Sequence, residues 1–386
     1  MKFKSYKLSE LVKIKYGKNQ KNVEVKKSDI PILGTGGGIG YSCKAIYSKP
    51  SVLIGRKGSI DKVSYIDIPF WSVDTLFYTE VNEFIVIPHY LYYVMSLLNL
   101  SQYDEGTTIP SLRTQTLNEL IFDIPPIEDQ KRTLHVLECI DNKINLNNKI
   151  NKNLEDQAQS VFKSWFIDTP SSSTWQTGTF SDIIDTMIAG DWGKDHQIGN
   201  NTEMVYCIRG TDIPDVKSGN KGKMPARFIL PKNYATKQLV AGDVVVEISG
   251  GSPSQSTGRI ASISQSLLNR YDKGMVCTNF CKAMKPKPGY SMFVYYYWQY
   301  LYDKGVFFMY ENGTTGIKNL DISGFIKTEL IVLPPVDLVK KFNTFCLSLF
   351  DVIFVNGHAN EQLAKIRDTL LPKLMSGELD VSKLDF

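Results

Sequence analysis

The sequence predicts an α+β protein in which two mixed α/β domains alternate with two long antiparallel helices, the whole forming an internal repeat with pseudo-twofold symmetry. Three observations carry this expectation. The segment Gly106-Thr107-Thr108-Ile109-Pro110-Ser111-Leu112 returns as Gly313-Thr314-Thr315-Gly316-Ile317-Lys318-Asn319-Leu320, and self-similarity of this kind marks a repeated architecture. Each copy leads to a Pro-Pro pair, Pro125-Pro126 and Pro334-Pro335. Each pair opens a long stretch in which only Gly357 interrupts the absence of Gly and Pro.

The elements are taken in chain order. Residues 1–126 and 169–333 read as the two domains, with short β-branched runs such as Ser51 to Ile54, Val63 to Ile66 and Val244 to Ile248 bounded by Gly, Pro and Asp, as strands are. Aromatic segments at 90–98 and 292–302 are long enough for helices, and core packing is a better account of them than a stacking platform for bases. Weaker echoes pair Gly17-Lys18 with Gly193-Lys194, Gly58 with Gly258, and Asp74-Thr75 with Thr278-Asn279, which places insertions inside the second domain.

Residues 127–168 and 334–374 read as the helices, with a tail at 375–386. In the second, Phe342, Phe345, Leu349, Val352, Asn356, Ala359, Leu363, Ile366 and Leu370 keep the alternating three-and-four spacing of a coiled-coil seam. The first carries Leu137, Ile140, Ile144, Asn147, Ile150, Leu154, Ala158, Val161 and Trp165 at nearly the same spacing. At about 1.5 Å per residue each helix would span roughly 50 to 60 Å. A chain ordered domain, helix, domain, helix closes compactly when the second helix runs back along the first. Asn147 and Asn356 then meet near the midpoints, and a hydrogen bond between them is expected to fix register.

Composition excludes several classes. With 386 residues, 42% hydrophobic and 22% charged, the chain is neither disordered nor a disulfide scaffold. The net charge of +4 divides as +3 in residues 1–126, −1 in 127–168, +3 in 169–333 and −1 in 334–386. No apolar run approaches a membrane span, and the Lys-rich start lacks a secretory h-region, so a cytoplasmic protein is expected. Cys277 and Cys281 lack further ligands, and His89, His135, His196 and His358 show no metal spacing, so no metal site is expected. The run Gly34-Thr35-Gly36-Gly37-Gly38-Ile39-Gly40 fits no nucleotide-binding fingerprint and reads as a tight loop whose amides also suit phosphate. Asp123-Ile124-Pro125-Pro126 lacks the order and aromatic of an amino-methyltransferase motif, and Ser249 stands where a metal nuclease built on Asp243 and Glu247 needs Lys. No catalytic residue is assigned.

Taken together, Pro31 to Tyr41, Leu53-Ile54-Gly55-Arg56-Lys57-Gly58-Ser59-Ile60, the Gly-Thr-Thr turn and Ile124-Pro125-Pro126-Ile127-Glu128-Asp129-Gln130-Lys131-Arg132 resemble a target recognition domain and spacer of type I restriction-modification specificity subunits. The second half resembles them again through Gly250 to Arg259 and Leu371-Pro372-Lys373-Leu374-Met375-Ser376-Gly377-Glu378. The resemblance implies a non-catalytic subunit that reads an asymmetric bipartite site in double-stranded DNA. Its implied partners are two modification subunits and restriction or translocase subunits, which would hold the S-adenosylmethionine, ATP and Mg that this chain has no need to bind. A self-contained methyltransferase or nuclease, and a coiled-coil scaffold that binds no DNA, are the competing readings.

Candidate DNA contacts are Lys18, Arg56, Lys57, Arg113, Lys194, Arg209, Arg259 and Lys318, together with the turns Gly106, Thr107, Thr108 and Gly313, Thr314, Thr315. Lys and Arg supply salt-dependent phosphate affinity, and turn amides and hydroxyls are donors to phosphate.

Overall fold

The computed structural model describes residues 2–252, 255–313 and 317–384. It divides into two compact units, residues 1–142 with 364–386, and residues 143–363. The two long helices, Ile127–Phe162 and Val336–Met375, each contribute to both units.

In the first unit, Val12–Tyr16, Leu76–Val81, Ser51–Gly55 and Val63–Ile66 form an antiparallel sheet in that order. A second sheet orders Glu24–Val25, Gly37–Ser42, Pro31–Gly34 and Trp71–Ser72, the last pair parallel. The glycine run is thus mostly strand, the two sides of a hairpin. Lys4–Lys7 pairs with Ile121–Ile124, which carries the chain to Pro125-Pro126. The helix Pro88–Ser96 buries Tyr90, Leu91, Tyr93 and Met95 in the same core as Val52, Ile54 and Phe77. Buried Gln130, on the first turn of the long helix, accepts from the Ile87 amide and donates to the Ile85 and Pro125 carbonyls, so the Pro-Pro corner is clamped at 2.8 Å on all three bonds. The tail belongs to this core through Leu374, Met375 and Val381.

The second unit repeats the plan. Ile184–Ala189, Cys281–Pro286, Val244–Glu247 and Ile260–Ser262 take the places of the first sheet in the same order. Ala226–Ile229, Glu203–Ile208 and Met275–Cys277 repeat three strands of the second, again ending in a parallel pair. Gln176–Thr179 pairs with Leu330–Leu333 as Lys4–Lys7 does with Ile121–Ile124. Helix Ser291–Asp303 buries Phe293, Tyr295, Tyr296 and Trp298, so the aromatic segments are core helices and not stacking platforms.

The seam of the long helices differs from the predicted one. Buried positions in the second helix include Val339 and the predicted Phe342, and then Cys346, Phe350, Ile353, Gly357 and Asn360, each one residue along from Phe345, Leu349, Val352, Asn356 and Ala359. In the first helix Leu137, Asn147 and Ala158 are buried as predicted, but Asn151, Phe162 and Phe166 replace Ile150, Val161 and Trp165. A straight α-helix drifts against a strict heptad, and these helices pack not only on each other: Phe162, Phe166 and Phe342 interlock with Phe293 of the domain helix, at centroid separations of 5.0 to 5.9 Å. Gly357 permits the closest approach. A Cβ there would lie 1.9 Å from the Gly219 carbonyl oxygen.

The antiparallel direction is recorded in side chains. Within the second unit Asn147 Nδ2 donates to Asn360 Oδ1, and Asn356 Nδ2 donates to Asn151 Oδ1, both at 2.8 Å. The expected Asn147–Asn356 bond is therefore replaced by two crossed pairs. The repeat carries residue 147 to 356 and 151 to 360, so each pair is the pseudo-twofold image of the other, and the axis passes between them. Across the ends of the helices that belong to the first unit, Arg367 donates to Asp141 at 2.9 Å, and the Tyr93 hydroxyl donates to the same carboxylate.

Candidate nucleic-acid interface

In the first unit, two loops bond the segment 72–75, and a third docks on one of them. Gly17 enters first: a Cβ there would lie 1.9 Å from the Val73 carbonyl oxygen, so only glycine allows the backbones to touch. The Lys18 amide then donates to the Ser72 carbonyl at 2.8 Å. The Arg56 amide donates to Thr75 and its guanidinium to the Asp74 carbonyl, both at 2.8 Å. That guanidinium lies 5.0 Å from the centroid of the half-exposed Tyr16 ring. The Arg56 carbonyl in turn accepts from Leu112, and the Gly58 amide donates to Pro110, which docks the Gly-Thr-Thr turn beside Arg56 and Lys57. Asp104 closes the turn by accepting from the Gly106 and Ser111 amides, and these bonds hold its carboxyl below the usual range.

Thr107 and Thr108 are exposed on this turn, as are Lys18 and Lys57, whose ammonium groups have no partner among the described residues. Arg113 is paired with Glu105 at 3.2 Å. The predicted residues Lys18, Arg56, Lys57, Gly106, Thr107 and Thr108 thus form one surface patch, with Arg113 tied at its edge.

The same backbone bonds recur in the second unit and correct the predicted equivalences. A Cβ on Gly190 would lie 1.9 Å from the Thr278 carbonyl oxygen, and the Asp191 amide donates to Cys277 at 2.8 Å, so Gly190-Asp191 matches Gly17-Lys18. Gly193-Lys194, the predicted match, pairs instead with the strand at Phe228. Ile248 donates to Phe280 and accepts from Leu320, which makes it the counterpart of Arg56. Ser249 and Gly250 pair with Asn319 and Lys318, as Lys57 and Gly58 do with Ser111 and Pro110. Gly250, not Gly258, is therefore the equivalent of Gly58. Residues are therefore inserted on both sides of Gly250, between it and Gly190 and between it and Thr278.

The cations predicted for this unit are mostly consumed internally. Arg209 donates through Nε and Nη2 to the buried Asp212 and through Nη2 to the Lys223 carbonyl. Burial raises the Asp212 carboxyl, but the Arg209 and backbone donors outweigh it and hold it low. Arg259 grips the buried Glu247 with bonds of 2.7 and 2.6 Å, which raises its own pKa. Lys318 bonds Glu311 at 2.7 Å, and Glu311 also accepts from the Thr257 amide and hydroxyl. Lys194 is exposed with no recorded side-chain partner among the described residues, but lies at the Phe228 strand. Gly313 takes a φ of +137°, while Thr314 and Thr315 lie outside the described residues.

What occupies the equivalent place is a cleft of about 600 Å³ with Arg209, Glu247, Thr278, Ser249 and Ile317 in its wall and the aromatic rings of Trp192 and Phe280 beside them. The nearest sequence signal, the Thr278-Asn279 echo of Asp74-Thr75, is off by one, since the shared bonds match Thr278 to Val73 and Phe280 to Thr75; Trp192 and Glu247 had none. Among the described residues there is no cluster of three or more metal-type ligands. Burial pushes the Cys207 and Cys281 thiols up to about 12, so they remain unreactive at neutral pH. No helix of the described residues is long and apolar enough to cross a membrane.

Known proteins agree with this layout. Residues 1–156 match the family model described as Type I restriction modification DNA specificity domain. The chain is 27% identical over 358 residues to the Type I restriction enzyme MjaIX specificity subunit of Methanocaldococcus jannaschii, covering 88% of this chain and 80% of that protein. It is 23% identical over 405 residues to the Type I restriction enzyme HindI specificity subunit of Haemophilus influenzae, covering 81% and 82%. Its fold is similar to the crystal structure of a type I restriction-modification S subunit from M. genitalium, with a TM-score of 0.56, 17% identity, and coverage of 97% and 96%. Repeat, fold and matched sequences together make this chain similar to type I restriction-modification specificity subunits, its residues 1–156 matching their DNA specificity domain.

Proposed function

We propose that the chain reads an asymmetric bipartite sequence in double-stranded DNA, one half-site per unit, and directs adenine methylation or ATP-dependent cleavage by partner subunits while performing no chemistry itself. The observation that carries this reading is the shared loop skeleton with different side chains. The bonds at Gly17/Gly190, Arg56/Ile248 and Leu112/Leu320 are the same in the two units, whereas Lys18 becomes Asp191, Arg56 becomes Ile248 and Lys57 becomes Ser249. One scaffold with two different surfaces suits two different half-sites. Exposed cations bind phosphate without reading sequence, and specificity comes from the side chains that differ.

In this reading two modification subunits dock with pseudo-twofold symmetry. Leu146 and Val355, related by the repeat, are 51% and 64% exposed and leave equivalent apolar surface on the two helices of the second unit. S-adenosylmethionine belongs to the modification subunits, and ATP and Mg to the restriction or translocase subunits. The complex works in the cytoplasm. The helices set the gap between half-sites, since a DNA turn is about 34 to 36 Å. Mapping methylated positions in host DNA tests the whole scheme. A paired motif is expected that disappears on gene deletion, and removing seven residues from both helices shortens its gap while leaving each half-site unchanged. Methylation independent of the gene would refute the function, and an unchanged gap would refute the ruler.

A further inference from the structure

We infer that the cleft of the second unit receives a single unstacked nucleobase from the bound DNA, an inference that rests on the DNA-reading function above. Four features converge. The cleft occupies the position where the first unit presents its exposed Lys18 and Lys57 and its half-buried Arg56, so it lies on the equivalent surface. Its rim carries two aromatic rings that the core does not claim: Trp192 is 37% and Phe280 60% exposed. The Trp192 indole is held from one side by the Arg227 guanidinium, 4.0 Å from the ring centroid, while Arg227 Nε donates to the Trp192 carbonyl. Phe280 is held at its carbonyl by the Ile248 amide.

The floor is polar and unfinished. Thr278 is only 2% exposed, yet its hydroxyl has no hydrogen-bond partner; the neighbouring Cys281 thiol is too weak an acceptor to satisfy it. A buried hydroxyl without a partner costs free energy, and a ligand in the cleft supplies one. The Asn279 amide beside it has no partner among the described residues and offers both a donor and an acceptor. Glu247 adds a buried carboxylate already neutralised by Arg259. Exposed aromatics over an amide, a hydroxyl and a carboxylate suit a planar heterocycle with polar edges, stacked on its face and bonded at its rim.

Shape identifies the state of that base. A paired base shows the protein only a groove edge, whereas a cleft of about 600 Å³ has room for a base swung out of the stack. The first unit has no matching floor: Gly55 stands where Glu247 does, and a Cβ there would meet the Ser59 carbonyl oxygen at 2.1 Å.

The test uses the full chain with its modification subunits and duplexes carrying the mapped target. Each base pair of the half-site read by the second unit is replaced in turn by a mismatch, then by an abasic nucleotide. At one position the mismatch is expected to tighten binding, because the cost of extrusion falls, and the abasic nucleotide to weaken it, by roughly 5- to 100-fold as stacking is lost. Both effects should vanish in Phe280→Ala and Thr278→Val and return in Phe280→Tyr, while affinity for non-specific duplex stays as in the wild type. Weakening by mismatches at every position, with specific binding intact, overturns the base-capture inference alone. Absence of sequence-specific binding to the mapped target overturns the DNA-reading function and this inference with it.

Discussion

The two units hold their matching loops with the same bonds and spend their charges in opposite ways. In the first, Lys18 and Lys57 reach solvent and Arg56 leans on an exposed tyrosine. In the second, Arg209, Arg259 and Lys318 each satisfy a carboxylate of the same unit, and aromatic side chains take the exposed positions. What is shared is backbone: a glycine under a carbonyl, an amide on a carbonyl, a turn docked by a leucine amide. Such bonds constrain conformation without constraining which side chain points outward. A protein built this way changes its target without changing its fold.

The shared skeleton breaks with the largest effect. Gly17→Ala and Gly190→Ala both force a Cβ against a main-chain oxygen that no side chain can move aside. Each is expected to cost about 3 kcal/mol or more, and thermal unfolding should show comparable losses for the two. A harmless Gly190→Ala would mean that the second unit holds its loop by other means.

An intermediate effect is expected where the units share the helices. Asn147→Ala leaves the buried Asn360 Oδ1 without its donor, while Asn360 Nδ2 keeps its bond to Asn148, at a cost of about 1 to 3 kcal/mol. Asn356→Ala removes the image bond and leaves the Oδ1 of the equally buried Asn151 without its donor, so a comparable loss is expected. Denaturant unfolding of the two single variants compares them, and unequal losses would show that the two pairs are geometrically but not energetically symmetric.

The smallest effect separates the surfaces. Lys18→Ala or Lys57→Ala should weaken DNA binding uniformly across sequences and reduce the slope of log K against log salt by about one, as expected for a phosphate contact. Lys318→Ala should leave the slope unchanged and lower stability instead, since Glu311 then loses its charge partner. Equal slopes for all three would erase the contrast between the units.

Much of the architecture is legible in the sequence because it is written twice. The Gly-Thr-Thr turns, the Pro-Pro corners and the Gly-poor helices identify the repeat, and the β-branched runs at 51–55, 63–66 and 244–247 lie where the strands are. The helix seam is misread by one residue because Phe345-Cys346, Leu349-Phe350 and Val352-Ile353 place apolar side chains side by side. Both frames fit a heptad, and only packing against the domain helix chooses between them. Gly193-Lys194 misleads for a related reason: it copies the dipeptide at 17–18, while the true counterpart, Gly190-Asp191, shares only a glycine and a close carbonyl. The ion pairs of Arg259 and Lys318 are equally hidden. Glu247 and Glu311 lie 12 and 7 residues from their partners, and no local pattern announces them.

The crossed asparagine pairs have a consequence for engineering. Because the repeat carries Asn360 onto Asn151, a polypeptide of half this length would already contain both members of the bond, Asn147 and Asn151. Two such chains could reproduce the helix junction by exchanging those residues between subunits, and they would present two identical readers in place of two different ones. The present chain has the helix junction of such a dimer within one polypeptide, where each half is free to carry its own surface.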